Sequence, residues 1–379
     1  MQLSPFENEI ITDVPSTEGI KYTGSKLKLL KHILTLANKV KSKTIFDGFS
    51  GSTRVSQAFA QSKFTVIAND ISTYSFYFAN CYLKNIQPKS YFIPIIDHLN
   101  NLPGVDGWFT ENYGGYANGN GGKCLSKDEL KKPWQIHNTM KLDAIREEID
   151  KLNLPFTEKT VLITSLILAM DKVDSTLGHF AAYLKEWSPR SYKTMRLTCP
   201  NIWVNDIDHR VFQGDIFSIL DKVNCDLAYF DPPYGSNNEK MPPSRVRYQA
   251  YYHLWTTICL NDKPKIFGKA KRREDTSDTI SASIFEEFRK SQTGKFLVIE
   301  AIEKLIKNID SQFVILSYSS GGRATLEELI QVLSESGKII EIEKIDFKKN
   351  VMANMRWTND WIKEIEEPNK EFLFLLEKN

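Results

Sequence analysis

No apolar run in this sequence approaches the roughly 18 residues of a membrane-spanning helix. Its start carries no basic segment followed by an apolar one, so no export signal is expected and the chain reads as cytoplasmic. Cysteine is scarce. Cys81, Cys124, Cys199, Cys225 and Cys259 are scattered, with no CxxC spacing and no accompanying histidine cluster. That argues against a disulfide framework and a zinc-ligand set, and no metal is expected. An excess of one charge is also missing: 49 Lys and Arg face 47 Asp and Glu, a net charge of +2. Any polyanion site must therefore come from local clustering of cations. There is no GxGxxG either, which speaks against a hydride-transferring dinucleotide enzyme. What is present is ordinary for a folded protein: 379 residues, 41% apolar and 25% charged. That suffices for two domains, or for one large α/β domain with an insertion.

Leu27, Leu29, Leu30, Ile33, Leu34 and Leu36, with lysines between them, predict an amphipathic helix over Ser25–Asn38. Lys43–Phe46 predicts a short strand, Arg54–Gln61 a helix, and Phe64–Ala68 a second strand closed by Asn69-Asp70. Strand, glycine turn, helix, strand and acidic end make the opening of a doubly wound α/β domain. The pattern then breaks. Residues 81–125 read as aromatic and irregular, with a flexible glycine-rich loop over 112–122. Ser126–Leu154 predicts a charged helix and Thr157–Asp174 a buried one. The α/β pattern resumes near Val211 and reaches Asp226–Phe230, a buried parallel strand. Residues 235–290 mix proline, serine and cations. Phe313–Ser317, Lys338–Phe347 and Phe372–Leu376 predict strands, and Leu326–Ser336 a helix. The expectation is one α/β domain built from 1–80 and 206–379, with a mostly helical insertion at 81–205. No internal repeat is evident.

The chemistry concentrates in Asp231-Pro232-Pro233-Tyr234, directly after a strand. Two prolines fix φ and remove two N–H donors. The turn therefore offers acceptors: the Asp231 carboxylate and the Pro232 carbonyl. An exocyclic amine presents two N–H bonds, which such a turn can hold, and Tyr234 adds a flat face for a base. A surface turn is the plain alternative for four residues alone.

Asp47, Phe49, Ser50, Gly51 and Ser52 form a small-residue turn after the first strand. Such a turn lets backbone approach a ligand and leaves helix N–H groups free. It is similar to FxGxG, with Thr53 in place of the last glycine. Asp70, followed by Ile71, caps the second strand about twenty residues on, where a carboxylate can accept both hydroxyls of a ribose. By itself an isolated Asp reads more often as a helix cap or a turn residue. Asp215 and Ile216 offer a carboxylate for an adenine amine and an aliphatic face for its ring, or simply a turn. Tyr22 and Lys26 flank Ser25, which reads either as the cap of the following helix or as part of a site facing a ligand carboxylate. Lys185, Arg190, Lys193 and Arg196 lie beside Trp187 and Tyr192; Lys269, Lys271, Arg272 and Arg273 lie beside Phe267. Cations interleaved with aromatics suit phosphate contacts, a solvated face being the alternative for any one of them.

In order and in kind these motifs resemble the Dam-type class of DNA N6-adenine methyltransferases, including its FokI-like members. Tyr22-Thr-Gly-Ser-Lys26, Asp47-Gly-Phe-Ser-Gly51, Asn69-Asp70, Gly214-Asp215-Ile216 and Asp231-Pro-Pro-Tyr234 carry the resemblance. So do the stretch Asp171–Lys185, Tyr252-His253-Leu254 and Leu316-Ser-Tyr-Ser319. The resemblance implies a Rossmann-like methyltransferase sheet, S-adenosyl-L-methionine as methyl donor and a flipped-out adenine in double-stranded DNA as acceptor. It implies a target-recognition role for 81–205, a bacterial or phage origin, and a cognate restriction endonuclease as a further partner. Two alternatives accompany it: an adenine N6-methyltransferase of ribosomal RNA, and a catalytically silent nucleic-acid-binding module of the same fold.

Overall fold

The structure is a computed structural model that describes residues 13–116, 130–235, 247–277, 283–287, 289–292, 294–346 and 370–379. Residues 1–12, the glycine run 117–122, Cys124 and the first part of the helix expected from Ser126 lie outside the described residues.

Seven strands form the central sheet: β1 (Thr44–Asp47), β2 (Thr65–Asp70), β3 (Arg210–Gln213), β4 (Asn224–Phe230), β5 (Asp310–Ser319), β6 (Gly337–Asp346) and β7 (Lys370–Lys378). Their spatial order is β3-β2-β1-β4-β5-β7-β6. The first five are parallel, and β7 slots in antiparallel between β5 and β6. This is a Rossmann-like methyltransferase sheet. β1 and β4 are apolar on both faces, as parallel strands covered by helices must be. One face packs on helices Leu30–Lys39 and Arg54–Gln61, burying Ile33, Leu34, Ala58 and Phe59 against Ile45, Val66 and Tyr229. The other packs on helices Leu297–Asn308 and Leu326–Ser336, burying Ile302, Leu305 and Leu333 against Phe46, Val314 and Phe374. Leu326–Ser336 starts where expected because Thr325 and Glu328 form a reciprocal cap.

A third core lies beside the sheet. It is made by helices Thr73–Leu83, Lys89–Asn101, Trp108–Tyr113, Ile136–Lys151, Phe156–Lys172 and His253–Leu260. Three expectations are corrected here. Of the stretch 81–125 expected to be irregular, the described part is largely helical: three of these helices run through 73–113. Their aromatics obscured the period, because Thr73–Leu83 is buried nearly all round. The described part of the expected 126–154 helix begins only at Ile136, after Trp134-Gln135 pairs with Gly114-Gly115. Gly114 and Gly115 are not flexible. A Cβ on Gly114 would meet the Thr139 hydroxyl at 2.6 Å, and one on Gly115 the Trp187 ring at 2.9 Å. They are small because the packing around them is tight. Helix His253–Leu260 also joins this core through Leu254, Trp255 and Ile258. By packing, residues 247–277 thus belong with the helical layer as much as 81–205 do.

Candidate active site

The acidic residues singled out above stand along the carboxyl edge of the parallel strands. Asp47 ends β1, Asp70 ends β2, Asp215 follows β3 and Asp231 follows β4 directly. Strand register brings them together: Asp47 lies opposite Ala68 on one side and Tyr229 on the other, and Asp70 lies opposite Gln213. Strand order reverses between β1 and β4, the place where open α/β sheets bind ligands. A cleft of about 610 Å³ opens there, lined by Tyr22, Lys26, Asp47, Phe49, Ser50, Gly51, Ser52, Asp70, Ile71, Asp215, Ile216 and Asp231–Tyr234.

One wall is the turn after β1. Gly48 N donates to Tyr229 O (3.0 Å) and Ser50 N to Asn69 O (2.9 Å), so both flanking strands hold it. The Asn69 amide donates to Gly48 O (3.3 Å) and Gly214 O (3.2 Å), tying together the turns after β1 and β3. Asp70 accepts from Gly51 N and Ser72 N, each at 2.8 Å, and burial raises its proton affinity. Gly51 is left-handed (φ 49°), with the Tyr22 ring 3.2 Å from where a Cβ would stand. Thr53 is also left-handed (φ 62°). That conformation costs an L-residue roughly 1–2 kcal/mol and suits glycine. Thr53 sits there fully buried, its hydroxyl donating to Ser52 O (2.7 Å) and accepting from the Gln57 amide (3.0 Å). Asp215 accepts from Phe217 N (3.0 Å), and Ile216 is buried beside it. Ile71 is 51% exposed, an apolar side chain on the cleft lining.

Asp47 is the most constrained acid in the cleft. One oxygen accepts from the Ser56 hydroxyl (2.5 Å) and the other is buried without a hydrogen-bond partner. Burial pushes its carboxyl up to about 7, with Asp231 and Asp70 adding repulsion and Ser56 opposing.

The opposite wall is the turn after β4. Lys26 Nζ lies 3.0 Å from Asp231 Oδ1, and the Tyr234 hydroxyl donates to the same oxygen. Asp231 Oδ2 has no hydrogen bond among the described residues. Burial raises the proton affinity of Asp231, and the Lys26 charge opposes it. Tyr234 does not stand free as a flat platform. Lys26 lies 4.9 Å from its ring centre, and Tyr318 packs against it with centroids 4.8 Å apart. The Tyr22 segment is anchored by stacking of Tyr22 on Tyr252 (4.7 Å, 21°) and by Thr23 N donating to the Tyr252 hydroxyl (2.7 Å).

Among the residues at the site that escaped the sequence reading, three carry chemistry. Tyr248 and Glu286 line it from residues 247–287; Glu286 has one buried oxygen unpartnered, and burial raises its carboxyl to about 8. Glu371, at the head of β7, touches Lys26 and Tyr234 from behind. A carboxylate opening the apolar run Phe372–Leu376 was the one visible signal for it.

The cations separate. Lys185, Lys193, Arg196 and Lys269 are exposed. Arg190 is held inward, donating to Asp174 Oδ1 (2.8 Å) and Thr176 O (2.8 Å). Arg273 is buried, its fork spread over Asp262 (2.7 Å to each oxygen) and Asp275 (2.8 Å) rather than offered to phosphate. Lys271 reaches Asn112 Oδ1 (3.3 Å), and Arg272 covers Phe267 at 4.8 Å. Tyr113 and Tyr183 donate to the carbonyls of Lys271 and Ala270. The second basic segment is therefore docked on the helical layer that carries the first.

A methyltransferase sheet with acids along its switch point defines the class. The family model for D12 class N6 adenine-specific DNA methyltransferases matches residues 22–317, and this chain belongs to that family. It is an enzyme acting on DNA, so the ribosomal RNA and silent-module readings fall away. It is 26% identical over 346 residues to the type II methyltransferase M.NlaIII of Neisseria lactamica, covering 88% of this chain and 94% of that protein. It is 28% identical over 352 residues to the modification methylase StsI of Streptococcus sanguinis, covering 89% of this chain and 50% of that one. For the type II methyltransferase M.FokI of Planomicrobium okeanokoites the values are 25% over 349 residues, 87% and 49%. The chain thus spans nearly all of the first relative and about half the length of the other two. Among the described residues no helix is long and apolar enough to cross a membrane, and no group of three or more potential ligands gathers for a metal ion.

Proposed function

We propose that this chain transfers a methyl group from S-adenosyl-L-methionine to N6 of an adenine turned out of duplex DNA. In this reading it works in the cytosol, as the modification enzyme of a restriction-modification system with a cognate endonuclease. The observation that carries the reading is the Asp231 carboxylate sharing one cleft with Asp47, Gly51, Asp70 and Asp215.

The cleft fits that donor. The unpartnered buried oxygen of Asp47 suits a cationic amino group, which would also relieve its burial. Each Asp70 oxygen accepts one backbone N–H and has capacity left for a ribose hydroxyl. Asp215 would accept from the adenine amine, with Ile71 and Ile216 on the ring faces. Tyr22 and Lys26 would face the donor's carboxylate. When bound, the donor supplies an electrophilic methyl on a sulfonium. The rest is done by the chain. Lys26 and Tyr234 hold Asp231 Oδ1, leaving Oδ2 and the Pro232 carbonyl for the two amine protons. That grip favours a pyramidal nitrogen whose lone pair points at the methyl. As the amine nitrogen takes the methyl, the donor leaving as its thioether, Asp231 would accept the proton that the nitrogen sheds. Proximity and orientation supply most of the acceleration. Tyr234 serves here through its hydroxyl on Asp231, with Lys26 and Tyr318 against its ring.

The exposed Lys185, Lys193, Arg196 and Lys269 would meet DNA phosphates, and 81–205 together with 247–277 would read the target. Asp231→Ala is expected to bind the donor normally and to lose methyl transfer altogether. Calorimetry with S-adenosyl-L-methionine and radiolabelled methyl transfer to duplex DNA test this. Normal turnover by the variant would sink the mechanism.

A further inference from the structure

Behind the Asp231 turn lies a buried network that the methyl-transfer scheme does not use in full. Glu371 is 6% exposed at the head of β7, outside the 22–317 span that matches the family. Its Oε1 lies 3.9 Å from Lys26 Nζ and its Oε2 3.4 Å from the Tyr234 hydroxyl. Lys26 and Tyr234 are the two groups that hold Asp231 Oδ1. A single ammonium thus sits between two carboxylates, and a single hydroxyl touches both.

We propose that Glu371 is a positioning residue for methyl transfer, acting through Lys26 and Tyr234 on Asp231. The proposal rests on the reading of Asp231 as the amine acceptor. Geometrically, Glu371 draws Lys26 and Tyr234 to the rear oxygen of Asp231, so that the front oxygen faces the cleft. Electrically, its negative charge divides the Lys26 charge between two partners. Asp231 is then a stronger proton acceptor than it would be if it had Lys26 to itself. The groups facing Glu371 are Lys26 before the first helix, Tyr229 on β4, and Asp231 and Tyr234 after it. The flanking strands place Ser319 and Ile345 opposite it, neither of them charged. Burial raises the proton affinity of Glu371 and so does Asp231, while Lys26 lowers it; the coupling of the two acids is mutual.

The test is the pH profile of kcat for methyl transfer to duplex DNA at saturating S-adenosyl-L-methionine. Glu371→Gln keeps the shape and the acceptor for Tyr234 but removes the charge. Its acid limb is expected to move to lower pH by roughly 1, because Asp231 then has Lys26 alone. Its plateau should fall about threefold, the response of a weakened base. Donor affinity by calorimetry and the melting temperature should stay at wild-type values. Glu371→Asp, which keeps the charge and withdraws it, should place the limb between the two. In a Tyr234→Phe background Glu371→Gln should change kcat less than it does alone, since one route of coupling is gone. An acid limb that does not move in Glu371→Gln overturns the proposal, as does a purely additive cycle. If Glu371→Gln does not fold, a Glu371→Asp limb coincident with wild type overturns it equally. If wild-type protein itself leaves duplex adenine unmethylated, the underlying functional reading fails instead, so the two failures are distinct.

Discussion

Asp47→Asn tests the donor pocket most directly. Burial raises the Asp47 carboxyl from its ordinary 3.8 to about 7. The group therefore costs the ligand-free fold nothing below about pH 4. As pH rises the cost grows by about 1.4 kcal/mol per pH unit, reaching about 4 kcal/mol above pH 7. A cationic amino group beside the unpartnered Asp47 oxygen would favour the charged form and restore that energy on binding. Donor binding must then expel a proton at low pH. With the carboxyl at about 7, binding should release about 0.9 proton at pH 6 and about 0.5 at pH 7. Affinity should rise about eightfold between pH 5.5 and 6.5. The window is kept below pH 7 because the donor's own amino group titrates near 7.8. Calorimetry at each pH in two buffers of different ionisation enthalpy counts the protons. In Asp47→Asn the release attributable to this site and the matching pH slope should vanish, with donor affinity weakened most at pH 7. A variant that binds as tightly as wild type at pH 7 and releases the same protons would remove Asp47 from the pocket.

Thr53→Gly should destabilise the fold despite relieving a left-handed residue. The relief is worth roughly 1–2 kcal/mol, but glycine adds about 0.5–1 kcal/mol of unfolded-state entropy. Two side-chain hydrogen bonds and a buried methyl are lost as well, about 2–3 kcal/mol together. A net loss of about 1–2 kcal/mol in urea unfolding is expected, and a stabilised variant would refute the reasoning that the Thr53 hydrogen bonds outweigh its backbone strain. Lys193→Ala with Arg196→Ala should weaken DNA binding about equally on all sequences and flatten the salt dependence by about one to two phosphate contacts, read by fluorescence anisotropy across salt concentrations. Arg273→Ala should act on the fold instead. It removes a buried guanidinium, but Asp262 (36% exposed) and Asp275 (58% exposed) can turn to water, so it should cost about 1–2 kcal/mol in unfolding, with no change of salt slope in whatever protein remains folded.

Local signals were legible wherever one residue type answers one backbone need. Arg54–Gln61 begins and ends as its pattern indicates, because its apolar face meets the sheet at helical spacing. Asp47, Asp70, Asp215 and Asp231 stand out because each follows a short apolar strand. Parallel strands in one sheet send all such ends to one edge. The helices over 73–113 were hidden because a helix buried on every side loses its amphipathic period, and aromatics there read as irregular. The glycines at 114 and 115 read as freedom and turned out to be close contact. Arg190 and Arg273 read as cations for a phosphate, and each is consumed by acids near in sequence, Asp174 in one case and Asp262 and Asp275 in the other.

By itself the sequence determined the kind of fold, the strand ends that carry acids and the identity of the Asp231 turn, since these depend on short-range order and on side-chain chemistry. Only the tertiary structure decided what surrounds that turn. Glu371 reaches Lys26 and Tyr234 because β7 runs back antiparallel next to β5, which brings Glu371 to Lys26 across more than three hundred residues of chain. The same sheet leaves one oxygen of Asp47 without a partner at the floor of the cleft. Long-range register places such groups, and their charge is set by the burial it imposes, so neither is written in the residues on either side.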